Sequence, residues 1–209
     1  MKKKIITEID VVNLYRSGNS VIKIEANTLI TPAARDKIND LKIKIVNPES
    51  STIKETSENW LTNKKIAVGS DHTGYQIKEL LKRLLIDKGF NIVDVGTSSE
   101  DSCDYPDYAK GVASNVIHNS IDFGIVVDAT GIPSAITANK VKGVRAATCY
   151  NEFSAWSARA HNNANILVVG AKTLGEETIK SILEKFMTTE FEGGRHQRRL
   201  DKIDLIEKE

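Results

Sequence analysis

The sequence predicts an α/β protein: a Rossmann-like three-layer domain with a five-stranded parallel sheet over residues 64–209, preceded by a small α/β module over 1–46. Three observations carry this. Five short apolar β-type segments follow residue 64, each separated from the next by a helical pattern, which is the signature of βαβ units. Gly69, Gly96, Gly124 and Gly170 fall near the strand ends, where turns need them. Residues 47–63, NPESSTIKETSENWLTN, are rich in Ser, Thr, Asn and Glu without apolar periodicity and mark a linker between two patterned regions.

The elements follow in order. The leading module reads as a short helix at about 7–16, a VIKIE strand at 21–25, a helix opened by Thr31 as N-cap with Pro32 at its first position, and a KIKIV strand at 42–46. After the linker come strand 65–69 (KIAVG), helix 74–88, strand 91–95 (NIVDV), helix about 106–118, strand 123–127 (FGIVV) and helix about 133–140. Strand 144–149 (VRAATC), helix 152–160, strand 165–169 (NILVV) and helices at about 175–188 and 195–207 complete the pattern. No internal repeat is read, and no apolar run approaches membrane-spanning length.

At 209 residues with 40% hydrophobic content the chain can bury a sizeable core. Its 29 Lys+Arg against 28 Asp+Glu leave a net charge of +1, which gives no field favouring nucleic acid or an anionic membrane. Any anion site must be local. Cys103 and Cys149 form neither a disulfide framework nor a zinc spacing and read as free thiols. Glu8 and Asp10 interrupt the basic start before any signal-peptide core develops, so a cytoplasmic location is expected.

Four stretches could carry chemistry. In Gly69-Ser70-Asp71-His72-Thr73-Gly74, two titratable side chains follow an apolar strand and would face the crevice above a parallel sheet; Asp71 as a plain helix cap is an equal alternative. Asp128-Ala129-Thr130-Gly131-Ile132-Pro133-Ser134-Ala135 is a small-residue loop after a strand, whose amides can approach a ligand oxygen. Arg159-Ala160-His161-Asn162-Asn163-Ala164-Asn165 places a histidine, a candidate general acid or base, where a helix ends; a C-cap histidine with asparagines in left-handed turns is the competing explanation. Gly193-Gly194-Arg195-His196-Gln197-Arg198-Arg199 gathers cationic side chains able to grip one phosphate.

Together GSDHTG at 69–74, DYPDYA at 104–109, ATG…ITANK at 129–140, ARAHNNAN at 158–165 and EGGRHQRR at 192–199 resemble the family of ribose-5-phosphate isomerase B and galactose-6-phosphate isomerase subunits. The resemblance spans about 64–209, in order and in spacing. It implies an aldose–ketose isomerase that uses no metal or cofactor, working on a phosphorylated sugar as a homodimer or dimer of dimers with sites between subunits. By resemblance, Asp71, His72 and Tyr105 contact the sugar or its phosphate, His161 assists ring opening, Asn162 holds sugar hydroxyls, and Arg195 and Arg199 bind phosphate, at least one from the neighbouring subunit. The loop around Thr130 and Gly131 would stabilise the enediolate.

The chain departs from the family at the base. The usual cysteine is replaced by Asp128, Ala129 and Pro133 replace two glycines, and Ser134 stands where some relatives carry a glutamate base. The resulting expectation is ribose 5-phosphate to ribulose 5-phosphate interconversion through a cis-enediol with Asp128 as base. A non-catalytic or altered-specificity sugar-phosphate binder is the alternative. The leading module is similar to a segment at the start of ethanolamine-utilisation cobalamin adenosyltransferases and other microcompartment-operon proteins, which implies a microcompartment partner or a structural appendage.

Overall fold

The computed structural model describes residues 4–23, 28–46 and 64–208. The chain divides into two units, 1–55 and 56–209; the expected linker lies outside the described residues.

The first unit contains β1 (Lys4–Ile6), α1 (Glu8–Arg16), β2 (Val21–Lys23), β3 (Thr28–Ile30), α2 (Pro32–Asp40) and β4 (Lys44–Val46). Thr7 opens α1 with a reciprocal capping box to Asp10, and Thr31 caps α2 by accepting the Ala34 N–H at 3.2 Å. The sequence reading is corrected twice here. Two strands, β1 and β3, were not expected, because three-residue strands lack the length that shows alternation. The unit is also an internal repeat: each half is strand, Thr cap, nine-residue helix, strand. Each strand pairs in parallel with its counterpart, Lys4 with Thr28 and Val21 with Lys44. Only the caps and the apolar rhythm recur, so the duplication hardly shows in residue identities. Val11, Ala34 and Ile38 form its core with Ile6, Ile22 and Ile43.

The second unit is built on β5 (Lys65–Ser70), β6 (Asn91–Gly96), β7 (Phe123–Asp128), β8 (Ala146–Thr148) and β9 (Ile166–Gly170), all parallel, in the order β6-β5-β7-β9-β8. A parallel strand covered on both faces needs a near-continuous apolar run. The central strands β7 and β9 are buried at every residue and β5 at all but Lys65.

Ile66, Val68, Ile125, Val127, Leu167 and Val169 face one side and pack against α3 (Tyr75–Asp87), α6 (Glu152–Ala160) and α7 (Glu176–Thr188). The alternate residues Ala67, Val126, Ile166 and Val168 face α4 (Tyr105–His118) and α5 (Ile132–Ala138). The final helix, α8 (Gln197–Ile206), buries Leu200. Among the described residues no helix is long and apolar enough to cross a membrane.

The expected five-stranded parallel sheet is therefore present. Strand 144–149 shortens to Ala146–Thr148. After β5 the chain crosses to β6 on one side and then to β7 on the other, so the order reverses between β5 and β7. Ligands of open α/β sheets bind outside the carboxyl ends of the strands at such a reversal.

Candidate active site

At the carboxyl end of β5, Asp71 donates its N–H to the Val127 carbonyl at 3.2 Å, joining its turn to the neighbouring strand. Its Oδ1 accepts the Thr73 N–H at 2.9 Å, the Thr73 hydroxyl at 2.6 Å and the Gly74 N–H at 3.0 Å. Asp71 thus shapes the turn leading into α3, whose N-cap is Gly74 with no side-chain cap bond. Gly74 is required because a Cβ there would overlap the Val127 carbonyl oxygen. His72 is half-buried, and its Nδ1 lies within hydrogen-bond distance of both the Cys103 carbonyl oxygen, at 3.2 Å, and the Cys103 N–H, at 3.3 Å, which holds the ring beside the start of α4. Tyr105 stands exposed at the first position of α4.

At the carboxyl end of β7 the loop turns back onto Asp128, whose side chain is buried. Its Oδ1 accepts the N–H groups of Thr130, at 2.8 Å, and Gly131, and its Oδ2 accepts that of Ser134 at 3.0 Å. Gly131 takes φ +82°, and a side chain there would run into Thr148 and the backbone at Val169 and Gly170. The amides that the sequence reading assigned to an enediolate are thus occupied by the chain's own carboxylate. Spacing could not reveal this, because a strand followed by a small-residue turn has the same signature with or without an internal anion. The hydroxyls of Ser70 and Ser134, both fully buried, have no hydrogen-bond partner.

The other candidates lie at the opposite edge of the sheet. α6 runs back from the carboxyl edge, His161 closes it, and β9 begins beyond at Ile166, in register with Gly124 near the start of β7. Four residue steps along β7, from Gly124 to Asp128, separate that edge from Asp128, about 13 Å at ~3.3 Å per step. The buried Arg159 guanidinium lies over the rings of Phe123 and Phe186 and donates to Asn163 Oδ1 at 2.9 Å and to the Ala164 carbonyl at 2.7 Å. Asn163 takes φ +44°, and Asn162 donates to the Ser157 carbonyl at 3.0 Å. These bonds account for most of the ARAHNNAN motif and fix the turn that presents His161.

His161 stacks on His196 with centroids 4.2 Å apart and planes 5° from parallel, while Trp156 meets it edge-on at 4.7 Å. Glu192 Oε2 lies 3.8 Å from His161 Nε2 and 3.7 Å from His196 Nε2. Arg195 Nε donates to His196 Nε2 at 3.2 Å. Burial, with His161 and Arg195 beside it, holds His196 below the ordinary imidazole range. Arg195 and Arg199 are exposed. Sequence reasoning missed Glu192 and His196 as partners of His161, since only the return of the chain after α7 brings them there.

The atoms of His161, Glu192 and His196 lie close enough together for a metal, but their orientation opposes one. Lone pairs of imidazole nitrogens lie in the ring plane, so two stacked parallel rings cannot both direct theirs at one ion. The His196 Nε2 lone pair also already accepts from Arg195.

The candidate residues therefore fall into two groups: Asp71, His72, Tyr105, Asp128, Thr130, Gly131 and Ser134 at the carboxyl edge, and His161, Asn162 and Arg195 at the amino edge. A Rossmann-like sheet with polar loops at its switch point places the chain among the doubly wound α/β proteins, which take ligands outside the carboxyl ends of their strands. The family is specific: residues 66–203 match the profile described as Ribose/Galactose Isomerase, and the chain belongs to that family. A Rickettsia bellii protein provisionally named a sugar phosphate isomerase is 48% identical over 139 residues, 66% of this chain and 96% of that protein. Ribose-5-phosphate isomerase B of Escherichia coli is 40% identical over 144 residues, 69% of this chain and 97% of the enzyme. The crystal structure of Mycoplasma genitalium ribose-5-phosphate isomerase B with bound ribulose-5-phosphate superposes with a TM-score of 0.68 at 43% identity, covering 71% of this chain and 99% of that one.

Proposed function

We propose that the protein interconverts ribose 5-phosphate and ribulose 5-phosphate, in a site completed by a second copy of the chain. The observation that carries this is the placement of His72 and Asp128 at one edge of the sheet and of His161 and Arg195 at the other, each set fixed by hydrogen bonds of its own. Joining the carboxyl edge of one copy to the amino edge of another supplies phosphate ligands, a ring-opening base and a proton carrier in one cavity. Exposed Ile132 and Ile136 on α5, Phe153 on α6, and Ile203 and Ile206 on α8 support a homodimer, since apolar side chains at this density mark contact surfaces. A groove of about 840 Å³ lined by Phe153, Asn162, Leu200, Ile203 and Ile206 offers it a seat.

In this reading Arg195 and Arg199 hold the phosphate, His161 takes the hydroxyl proton as the furanose opens, and Asn162 and Tyr105 hold sugar hydroxyls. A carboxylate has about four lone-pair positions. With two of the loop N–H bonds on Oδ1 and one on Oδ2, Asp128 keeps one on Oδ2 to carry the proton from C2 to C1 of the cis-enediol. Proton NMR in deuterated water tests this: ribose 5-phosphate should exchange its C2 proton and yield ribulose 5-phosphate above a buffer control, and no exchange contradicts it.

A second reading rests on the same three hydrogen bonds. A loop already filled by its own anion stabilises no enediolate, which favours a chain that binds sugar phosphate without turning it over. Calorimetric binding of ribose 5-phosphate with no C2 exchange is the result that separates this reading from the first.

A further inference from the structure

The His161–His196 stack has a feature that ring opening alone does not require. Arg195 Nε–H donates to His196 Nε2 at 3.2 Å, a bond that requires that ring neutral with its proton on Nδ1. His196 is 5% exposed, lies 4.2 Å from His161 face to face, and shares with it the single carboxylate of Glu192, at 3.7 and 3.8 Å. The charged groups acting on His196 are His161 from the end of α6, Glu192 and Arg195 from the segment after α7, and Arg199 from α8. On the far side of His161, Trp156 is apolar and the Ser157 hydroxyl lies 3.5 Å from Nδ1. One carboxylate beside two stacked imidazoles stabilises one positive charge there, not two.

We infer that His196 is a positioning residue that transmits occupancy of Arg195 to His161: an anion that draws Arg195 away frees the His196 Nε2 lone pair, and a proton shared by the stacked pair then resides on His196 rather than on His161. The inference rests on the isomerase reading, in which that anion is the substrate phosphate. The balance is simple. His196 Nε2 gains a proton and sits as a cation against Glu192, His161 Nε2 gives one up, and the pair's charge is unchanged. Phosphate binding thereby leaves His161 as the neutral base that furanose opening needs.

The test is a titration of both rings by long-range proton–nitrogen NMR on the full chain, with and without saturating inorganic phosphate. A nearby anion acting through space alone raises the pH at which each histidine protonates. The coupling reverses the sign at His161. In the wild-type chain phosphate should shift His161 protonation downward by about one pH unit and His196 upward, as expected for two cations in contact. In His196→Phe, which keeps the stack without the charge, phosphate should shift His161 upward. His196→Gln is measured alongside, so that a folding defect in one variant does not remove the comparison. An upward shift of His161 in wild type and variants alike overturns the coupling while leaving the phosphate site in place. No response of either ring overturns the phosphate site, and the coupling with it.

Discussion

The backbone N–H of Ser134 donates to Oδ2 of Asp128 at 3.0 Å, so the carboxylate that ends β7 is bound by the residue six positions further along the chain. With Thr130 and Gly131 bonded to Oδ1, Asp128 organises the whole loop after β7.

Replacing Asp128 should therefore cost stability. Asp128→Asn turns an NH₂ toward at least one of the three N–H donors and should lose about 1–3 kcal/mol, since an unsatisfied buried donor bears its full desolvation penalty. Urea unfolding of the two proteins measures it; equal midpoints would mean that the loop amides are held by something else. Asp128→Cys, which releases the amides and restores a thiol, should raise C2 exchange above wild type on the isomerase reading.

The two thiols should differ in reactivity. Cys149 is fully buried, and burial pushes its thiol up to about 11, whereas Cys103 is half-exposed beside His72. A chromogenic disulfide reagent on the native protein at mildly alkaline pH should modify Cys103 rapidly and Cys149 only after denaturant. Fast reaction of both would contradict the burial of Cys149 in the core beside Ala155 and Ala158.

Acid should weaken the β6 edge. Lys78, 1% exposed, donates to both oxygens of Asp94 at 2.9 Å, and Lys82 bridges Asp94 and Glu79 at 2.7 Å each. Burial works to raise Asp94, but hydrogen bonds from Lys82 and Lys78 outweigh it and hold the carboxyl below its ordinary range; the Lys82 bond does the same for Glu79. A carboxyl depressed in the folded state adds stability above its unfolded pKa, near 3.9–4.3, and loses it as pH falls through the folded value. Unfolding free energy should drop below about pH 4. Asp94→Asn should flatten that drop while lowering stability at neutral pH; an unchanged acid limb would remove the network from the account.

Gly74→Ala should destabilise the domain, because the added methyl has the Val127 carbonyl as its neighbour and neither backbone can yield without opening β5 from β7. Thermal unfolding should fall by several degrees, as expected for about 1–3 kcal/mol of overpacking. An unchanged transition would show that the turn at Asp71 is looser than described.

The sheet was legible because buried parallel strands must be apolar at successive positions, and KIAVG, FGIVV and NILVV are. Asp71 and Asp128 were legible as residues at strand ends but not as acceptors, because whether a carboxylate faces a ligand or its own loop depends on where the amides turn. The His161 cluster was half legible. The histidine stood out at the end of its helix, but Glu192 and His196 reach it only through tertiary packing. The repeat in the leading unit was hidden because a Thr cap, a helix and a three-residue strand can be rebuilt from different side chains.

Complementation between two damaged chains tests the shared site most directly. His72→Ala and His161→Ala should each lack isomerase activity alone, having lost opposite halves of the site. Mixed and reassembled, they should recover roughly a quarter of wild-type turnover, as expected when half the dimers are mixed and each holds one intact site of two. No recovery from folded, mixed dimers would contradict a site made by two copies of the chain.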